Sequence, residues 1–178
     1  MPRIFTGLEI PADVGASLAT LRGGLPGARW IDPENYHLTL RFIGDVDDSI
    51  AREVAWMLGQ VRRPEFELRF DGLTSFGGRR PRAVVAMLAP TPALIELQAE
   101  HERLLQRVGL DPEGRKYTPH VTLARLRDSS SRQVADYLAT CALMRPLPFP
   151  VSRFVLFSSR ASVGGGPYVV EAAYPLAA

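Results

Sequence analysis

Alternating apolar and polar residues mark several stretches of the chain as strands. In residues 37–42, Leu38, Leu40 and Phe42 alternate with polar residues, which is the period of a strand with one buried face and one solvated face. These three side chains are therefore expected to face the core. The same criteria predict strands over 3–10, 29–44 after an initial turn, 66–76, 82–89, 116–126, 149–159 and 168–176.

Apolar residues at helical spacing predict four helices between these strands. The predicted helices span 12–23, from Asp47 or Asp48 to about 62, 91–109 and 130–143. In the third helix, Thr91 is placed to cap and Pro92 to occupy the first turn, whereas His101 lies among charged residues and is expected on the solvated side. Because several strands are adjacent and read as antiparallel, the pattern favours an α+β fold over a doubly wound parallel sheet.

The second half of the chain repeats the order of the first. His37 precedes the phenylalanine that opens the next predicted strand by 29 residues, and the same spacing follows His120. After a three-residue loop difference, "PRAVV" (81–85) aligns with "PYVVE" (167–171). A period near 83 predicts two pseudo-twofold-related lobes of mostly antiparallel sheet flanked by helices, with a central cleft. We interpret residues 1–178 as one bilobal domain in which His37 and His120 are equivalent.

A histidine followed two residues later by a threonine occurs on one predicted strand of each half. Residues i and i+2 of a strand point to the same face, so His37 lies beside Thr39 and His120 lies beside Thr122. Only three histidines are present, so chance rarely gives two of them this threonine. The pseudo-twofold would bring both pairs to one cleft. The alternative is that each histidine merely hydrogen-bonds a loop carbonyl at the start of its strand.

Two histidines and two threonines supply what the opening of a cyclic phosphate requires. Imidazoles with ordinary pKa values of about 6.5 can hold opposite protonation states at neutral pH, so one can accept a proton while the other donates one. The threonine hydroxyls can hold the non-bridging phosphate oxygens. A metal site is the poorer interpretation, because no Asp, Glu or Cys stands at a fixed short spacing as a third ligand. We expect neither a metal nor another cofactor.

The amino-acid composition limits the kinds of molecule that the chain is expected to bind. The chain of 178 residues has 46% apolar residues, a net charge of +2 and a pI near 9.0, which suits a globular domain but not a general duplex-DNA binder. Lys116 is the single lysine among 21 basic residues, which fits codon bias, although arginine also favours bidentate phosphate contacts. A small phosphate-bearing ligand or a nucleic-acid end is the better fit.

Cysteine content and apolar run length bear on location. Cys141 is the single cysteine, so no disulfide is expected within the chain. The N-terminal residues lack the pattern of a signal peptide, and no apolar run approaches the roughly 20 residues of a membrane span. We predict a cytoplasmic monomer without membrane contact.

Other residues are weaker candidates for substrate contact. Arg41 shares the face of His37 and Thr39 if the strand stays regular, so it is predicted either to reach substrate or to be solvated. The basic loop "GGRRPR" (77–82) could steer an RNA end but also fits an exposed turn, and "SVGGGP" (162–167) fits a hairpin connection. Aromatic rings that could stack on a base are Tyr36, Phe42 and Phe76.

The two motifs and their flanks resemble a known family. "HLTL" and "HVTL", one in each half, are similar to the paired H-x-T-x motifs of the 2H phosphoesterase superfamily. Five longer stretches resemble one family within it, the RNA 2′,3′-cyclic phosphodiesterases, also called 2′-5′ RNA ligases. These stretches are "RIFTGLEIP", "NYHLTLRFIGDV", "FELRFDGLTSFG", "RKYTPHVTLARL" and "RFVLFSSRASVGGGPYVVEAAYPL". The likeness runs from Arg3 to Leu176 and includes both motifs in order. One departure is Thr6-Gly7, where more apolar residues are usual.

That resemblance implies a bilobal α+β fold, a reaction and residue roles. The reaction is metal-independent hydrolysis of a 2′,3′-cyclic phosphate end of RNA or a nucleotide to a 2′-phosphomonoester, with reversible 2′-5′ ligation in some members. Carried over by motif, His37 is the general acid and His120 the general base, while Thr39 and Thr122 bind the phosphate. The residues alone leave the acid and base roles exchangeable. Two alternatives stay open: a non-catalytic protein that binds RNA ends or phosphate, and a cyclic phosphodiesterase of another nucleotide metabolite.

Overall fold

The computed structural model describes residues 3–159 and 166–178. Its helices are α1 (Ala12–Ala19), α2 (Asp48–Leu58), α3 (Pro92–Arg107) and α4 (Ser131–Thr140). Its strands are β1 (Arg3–Glu9), β2 (Ala28–Trp30), β3 (His37–Asp45), β4 (Phe66–Leu68), β5 (Phe70–Phe76), β6 (Ala83–Leu88), β7 (His120–Leu126), β8 (Phe149–Val151), β9 (Arg153–Ser159) and β10 (Tyr168–Pro175). The predicted hairpin connection over 162–167 lies, for its first four residues, outside the described residues.

Most strands belong to one large sheet. Its order is β10-β9-β1-β3-β7-β6-β5, with β2 paired to β7, while β4 and β8 form a separate two-stranded sheet. Every pairing of two strands within the described residues is antiparallel. The predicted α+β class with mostly antiparallel sheet is therefore confirmed.

The two histidine strands lie side by side at the middle of the sheet. Leu38 of β3 pairs with Val121 of β7, and this contact joins the two halves. Outward from it come β1 and β9 on one side, and β6 and β5 on the other. One detail of the predicted repeat is wrong. The repeat aligned "PRAVV", which leads into β6, with "PYVVE", which leads into β10. In the sheet, β6 lies next to β7, and the strand in the equivalent position next to β3 is β1. The N-terminal strand fills the position beside β3, so β10 lies outside β9.

Two predicted strands are each interrupted by one residue. The stretch 66–76 forms β4 and β5 on either side of Arg69, and 149–159 forms β8 and β9 on either side of Ser152. β4 and β8 pair with each other away from the main sheet. The break in each stretch therefore lets its second part join the main sheet while its first part closes the small one.

Side-chain caps account for the start of two helices. The Asp47 carboxylate accepts a hydrogen bond from the Ile50 backbone N–H at 2.9 Å, at the start of α2. At α4, Ser130 and Gln133 form a capping box with distances of 2.9 and 3.1 Å. The hydroxyl of Thr91 makes no such bond before α3. Thr91 nevertheless occupies the N-cap position, as predicted, and Pro92 follows at the first turn.

His101 is buried, so the prediction that it is solvated is wrong. It lies four residues after Leu97 and four before Leu105, on the face of α3 that packs against the sheet. Its ring is 0% exposed and lies 4.6 Å from the ring of Phe154, centroid to centroid. Its Nδ1 is 2.9 Å from the Thr6 hydroxyl. The charged residues next to His101 in the sequence suggested a solvated position, although His101 lies on the apolar face of α3.

The helices of the described residues are short relative to a lipid bilayer. None of them is both long enough and apolar enough to cross a membrane.

Candidate active site

The two H-x-T pairs line one cleft of about 280 Å³. His37 and Thr39 reach it from β3, and His120 and Thr122 reach it from β7. Counting outward from the residue pair that joins the two strands places Thr122 opposite His37 and His120 opposite Thr39. The structure thus brings together all four residues that the sequence motifs singled out, with imidazole and hydroxyl alternating across the strands.

Each imidazole is anchored through Nδ1. The Nδ1 of His37 is 3.0 Å from the carbonyl oxygen of Asn35, and the Nδ1 of His120 is 2.7 Å from that of Thr118. A carbonyl oxygen only accepts, so each Nδ1 donates and a neutral ring keeps its lone pair on Nε2. The Nε2 of His37 is 3.2 Å from the Thr39 hydroxyl. The loop-carbonyl bonds expected of purely structural histidines are present, and they orient the other ring nitrogen for chemistry.

Aromatic rings hold the two imidazoles in place. Three rings surround His37 with centroids 4.7 to 5.5 Å from its own, and they belong to Phe5, Phe157 and Tyr168. Phe76 stands edge-on to His120 at 4.8 Å. Tyr36, one of the predicted stacking rings, is only 4% exposed and belongs to the core. Of the three predicted rings, Phe76 therefore contacts a cleft histidine, whereas Tyr36 does not reach the cleft.

Burial lowers the pKa of both cleft histidines. That of His37 falls to about 4, chiefly because the ring is desolvated, with smaller lowering effects from the nearby charges of His120 and Arg125. The pKa of His120 is lowered for the same main reason and by Arg125. The carbonyls of Asn35 and Thr118 act in the opposite direction, since each favours a protonated ring. Without a ligand, the cleft therefore favours two neutral imidazoles at neutral pH.

Each histidine strand carries a bulge directly after its threonine. The register of β3 against β1 shifts at Leu40, and that of β7 against β6 shifts at Leu123. The extra residue reverses the alternation, so Phe42 and Arg125, each five residues after a histidine, line the cleft. The expectation that Phe42 faces the core is therefore wrong, and its side chain is 50% exposed.

The same bulge turns Arg41 away from the H-x-T pair on its strand. Its side chain is 8% exposed, and its guanidinium donates to the Glu102 carboxylate of α3 and to the backbone oxygens of Phe42 and Asp111. The prediction that Arg41 shares the face of the cleft residues is wrong, and so is the alternative that it is solvated. It connects β3 to α3.

Arg125 is a candidate that the sequence reasoning missed. It is exposed on β7, lines the cleft and lowers the pKa of both cleft histidines through its charge. The signal in the sequence is its spacing, because Arg125 follows His120 by the same five residues that separate Phe42 from His37. In a regular strand, a residue five positions after a histidine points to the face opposite that histidine. The spacing therefore predicts a cleft residue only if the bulge is already known.

The basic loop at 77–82 is an exposed turn between β5 and β6. The Arg80 backbone N–H donates to the Gly77 carbonyl at 3.1 Å, and the Arg82 backbone N–H donates to the Phe76 carbonyl at 2.7 Å. Apart from Pro81, its residues are exposed. The exposed-turn interpretation is confirmed, whereas contact with RNA stays a prediction.

The cleft offers acid–base groups and anion-binding groups. Hydroxyls, the guanidiniums of Arg3 and Arg125, and aromatic rings accompany its two histidines. Across residues 3–159 and 166–178, nowhere do three side chains of His, Cys, Asp or Glu converge as metal ligands would. The chemistry that these groups support is proton transfer beside a bound anion.

A second cavity of about 440 Å³ adjoins the cleft at His120. Thr39, Phe42 and His120 line both spaces, whereas His37 and Thr122 line only the cleft. The second cavity is bounded further by α3 and by the segment that leads into β7. The two spaces thus meet beside one of the two histidines.

A family model matches most of this chain, and named proteins of other organisms are similar to it. A model of the family described as "LigT like Phosphoesterase" matches residues 8–86 and 88–168. An RNA 2′,3′-cyclic phosphodiesterase of Thermotoga maritima is 31% identical over 150 residues, which cover 81% of this chain and 77% of that protein. One of Aeropyrum pernix is 38% identical over 106 residues, which cover 58% of this chain and 60% of that protein.

Two solved structures are similar in fold to this chain over nearly its whole length. The crystal structure of Escherichia coli LigT complexed with 3′-AMP is 25% identical, with a TM-score of 0.77 over 99% of each chain. A crystal structure of a Thermus thermophilus protein has a TM-score of 0.82 over 97% of each chain at 22% identity, which shows the shared fold.

Proposed function

The chain belongs to the LigT-like phosphoesterase family, and from that premise we propose that it is an RNA 2′,3′-cyclic phosphodiesterase. It would hydrolyse the cyclic phosphate at the end of an RNA or nucleotide and leave a 2′-phosphomonoester. The relatives from Thermotoga maritima and Aeropyrum pernix carry the name RNA 2′,3′-cyclic phosphodiesterase, and the Escherichia coli relative was crystallised with 3′-AMP. These names agree with the chemistry that the cleft residues support.

One observation carries the proposal: both H-x-T pairs face a single cleft, and each imidazole has its Nδ1 tied to a carbonyl. A phosphate between the strands would then lie between two Nε2 atoms that approach it from opposite sides. Displacement at phosphorus requires such an arrangement, because the attacking oxygen and the leaving oxygen stand in line across the phosphorus atom.

Arg125 and the two threonines are suited to hold the phosphate. The guanidinium offers up to five N–H donors to non-bridging oxygens, and the hydroxyls of Thr39 and Thr122 add one each. In the free protein, the Thr39 hydroxyl already lies beside His37 Nε2. Negative charge grows on those oxygens in the transition state, so donors fixed by the sheet stabilise it more than they stabilise the bound substrate.

Proton transfer would divide between the two histidines. In the proposed roles, His120 takes a proton from a water molecule, and the resulting hydroxide attacks phosphorus. The bond from phosphorus to O3′ breaks, and His37 gives its proton to that oxygen. Both side chains supply general acid–base catalysis of ordinary magnitude, about 10² to 10⁴-fold each.

Substrate binding would also set the protonation state. Desolvation and the Arg125 charge lower the pKa of both imidazoles in the free cleft. A bound phosphate anion acts in the opposite direction, because it favours a charged imidazolium beside it. The cleft therefore takes up one proton when the substrate binds. That proton supplies the histidine that acts as the general acid.

The test is turnover of adenosine 2′,3′-cyclic phosphate by the wild type and by His37→Ala and His120→Ala. Each variant is expected to lose activity by about 100-fold or more while it keeps its circular dichroism spectrum. ³¹P NMR should identify the product as the 2′-phosphate, and the rate with EDTA should equal the rate without it. Arg132→Ala, an exposed cation on α4, is the matched control and should keep full activity.

Two results would replace the proposal by its alternatives. Tight binding of phosphate-ended RNA without turnover of any cyclic phosphate identifies a binding protein. Turnover of a different cyclic nucleotide metabolite, with none of RNA or nucleoside 2′,3′-cyclic phosphates, identifies another diesterase. Full activity in both histidine variants would contradict the catalytic assignment itself.

A further inference from the structure

We propose that Tyr117 is a positioning residue, whose hydroxyl holds His120 at the distance from His37 that the reaction requires. This role rests on the proposed function, in which the two imidazoles act together on one phosphate. Tyr117 lies three residues before His120, and its hydroxyl donates to the backbone carbonyl of Thr39 at 2.9 Å. It thus connects the segment that leads to one histidine with the strand that carries the other.

The two histidine strands share less backbone pairing than their neighbours do. Across residues 3–159 and 166–178, β3 and β7 have one residue pair, Leu38 with Val121, whereas every other pair of adjacent strands has at least three. The next four residues of β3 line the second cavity. The backbone ladder therefore constrains the separation of the two histidines at a single point.

The segment before His37 is held to the opposite strand by backbone hydrogen bonds. It includes β2, which pairs with β7 over three residues. Next to β2, the Ile31 backbone N–H donates to the Leu123 carbonyl at 2.9 Å. The Asn35 carbonyl, which anchors the His37 ring, follows four residues after Ile31. In this half of the chain, the ladder with β7 thus extends almost to the carbonyl that orients the imidazole.

Side chains replace this ladder in the second half. At the same place in the repeat, 83 residues after β2, residues 111–113 form no strand. Instead, the Arg41 guanidinium of β3 donates to the Asp111 carbonyl. Closer to His120, the Tyr117 hydroxyl makes the corresponding bond to the backbone of β3. The approach of this segment to β3 therefore depends on individual side chains.

Tyr117 acts on the His120 ring through the adjacent peptide. Thr118 follows Tyr117 directly, and its carbonyl accepts the hydrogen bond from His120 Nδ1 at 2.7 Å. At the other end of the tyrosine's bond, the Thr39 hydroxyl lies 3.2 Å from His37 Nε2. One series of contacts therefore runs from imidazole to imidazole, and the tyrosine hydroxyl is its connection between the two strands.

The hydroxyl of Tyr117 is suited to hold a fixed position rather than to transfer a proton. The ring is half-buried and packs against the core, and burial raises the pKa of the hydroxyl above its ordinary value. The proton therefore stays on the tyrosine and is directed at a carbonyl, which only accepts. Phenylalanine fills the same space without a donor, so Tyr117→Phe removes this hydrogen bond and retains the ring.

Loss of the hydrogen bond should slow the chemical step more than it weakens substrate binding. In-line displacement needs both imidazoles in narrowly defined positions, and a displacement of about 1 Å can cost roughly 100-fold in rate. The proposed phosphate-binding groups of Thr39, Thr122 and Arg125 lie on the strands themselves. Tyr117→Phe should therefore lower kcat for adenosine 2′,3′-cyclic phosphate by about tenfold and change KM by less than about twofold.

Tyr174→Phe is the matched control. Tyr174 is also half-buried, and its hydroxyl donates to the Ala55 carbonyl at the same distance, 2.9 Å. Neither residue is among the described residues that line the cleft or the second cavity. Both variants should lower the urea midpoint of unfolding to a similar extent, because each removes one hydrogen bond of the same kind. Only Tyr117→Phe should lower kcat.

Two further measurements separate positioning from a general loss of stability. In a His120→Ala background, Tyr117→Phe should change the remaining rate by less than about twofold, because its effect passes through that imidazole. NMR titration should show a higher pKa for His120 in Tyr117→Phe, since a ring held less firmly is better solvated. The titration needs no turnover, so it tests the role of Tyr117 even if the wild type fails to hydrolyse the cyclic phosphate, which would contradict the proposed function.

Three results would overturn the inference. One is an unchanged kcat in Tyr117→Phe or, in a protein without turnover, an unchanged titration of His120. Another is an equal loss of kcat in Tyr174→Phe, which would reduce the effect to stability. The third is the full tenfold loss in the His120→Ala background, which would show that Tyr117 acts independently of that histidine.

Discussion

Phe42 and Arg125 occupy the same place on the two histidine strands. Each follows its histidine by five residues, and each reaches the cleft across a bulge at the leucine after the threonine. The burial pattern along β3 and β7 is the same over these positions. The two halves of the cleft are therefore alike in their H-x-T pairs but differ here, because one half presents an aromatic ring and the other a cation.

Arg125→Ala is expected to lower kcat/KM for a nucleoside 2′,3′-cyclic phosphate by about 100-fold, because it removes donors aimed at the developing charge. Arg125→Lys should recover part of the loss, since it restores charge without the guanidinium fork. Steady-state kinetics with Arg127→Ala as control measure this effect, because Arg127 is an exposed cation just beyond β7. A loss below threefold in Arg125→Ala would show that Arg125 does not stabilise the transition state.

The pH optimum of kcat/KM should lie below 6.5 for the wild type. Burial lowers the pKa of His37 to about 4 and lowers that of His120 from the ordinary 6.5. The active free protein carries one proton on the pair, and the fraction of protein with one proton on the pair is largest between the two pKa values. In Arg125→Ala the optimum should move to higher pH, because the Arg125 charge lowers both pKa values. A wild-type optimum above pH 7 would contradict this account.

Arg41→Leu should destabilise the fold by about 3 kcal/mol, because it leaves the Glu102 carboxylate without its main partner inside the protein. The double variant with Glu102→Gln removes both charges and should be more stable than Arg41→Leu alone. Urea unfolding at pH 7 measures both effects. A loss below about 1 kcal/mol in the single variant would mean that the pair is not effectively buried.

His101 should make the protein sensitive to acid. Burial lowers its folded-state pKa from 6.5 to about 3, so between these values the unfolded chain binds a proton that the folded chain does not. The stabilising effect is complete above pH 6.5 and is lost as the pH falls toward 3, about 1.4 kcal/mol for each pH unit. His101→Asn, which can still hydrogen-bond Thr6, should flatten the fall in unfolding free energy between pH 6.5 and 4.5. An unchanged slope would contradict the assignment.

The H-x-T pairs could be predicted because their information is local. The spacing of two residues puts His37 beside Thr39 on any strand, and the repeat at His120 identified the partner strand. The helix starts predicted at Asp47 or Asp48 and at residue 130 were equally readable, and the structure shows side-chain caps at Asp47 and Ser130. These features depend on neighbours within a few positions, which is the range over which sequence patterns act.

The errors arose where distant residues decide the structure. Thr6 looked like a mild departure from the family, and His101 looked solvated, yet the two form a hydrogen bond across 95 residues of sequence. The bulge at Leu40 is also a tertiary feature. It lies where β3 passes Gly7, at which a Cβ would approach the Leu38 carbonyl oxygen to 2.7 Å. No alternation pattern records such a contact.

The central claim is that His37 and His120 act as one acid–base pair on one phosphate. The direct measurement is single-turnover hydrolysis of adenosine 2′,3′-cyclic phosphate by His37→Ala, His120→Ala and the double variant. If the two act as a unit, the double variant should lose no more than about tenfold beyond the slower single variant. Losses that multiply across the two substitutions would show that the histidines act independently and would contradict the single site.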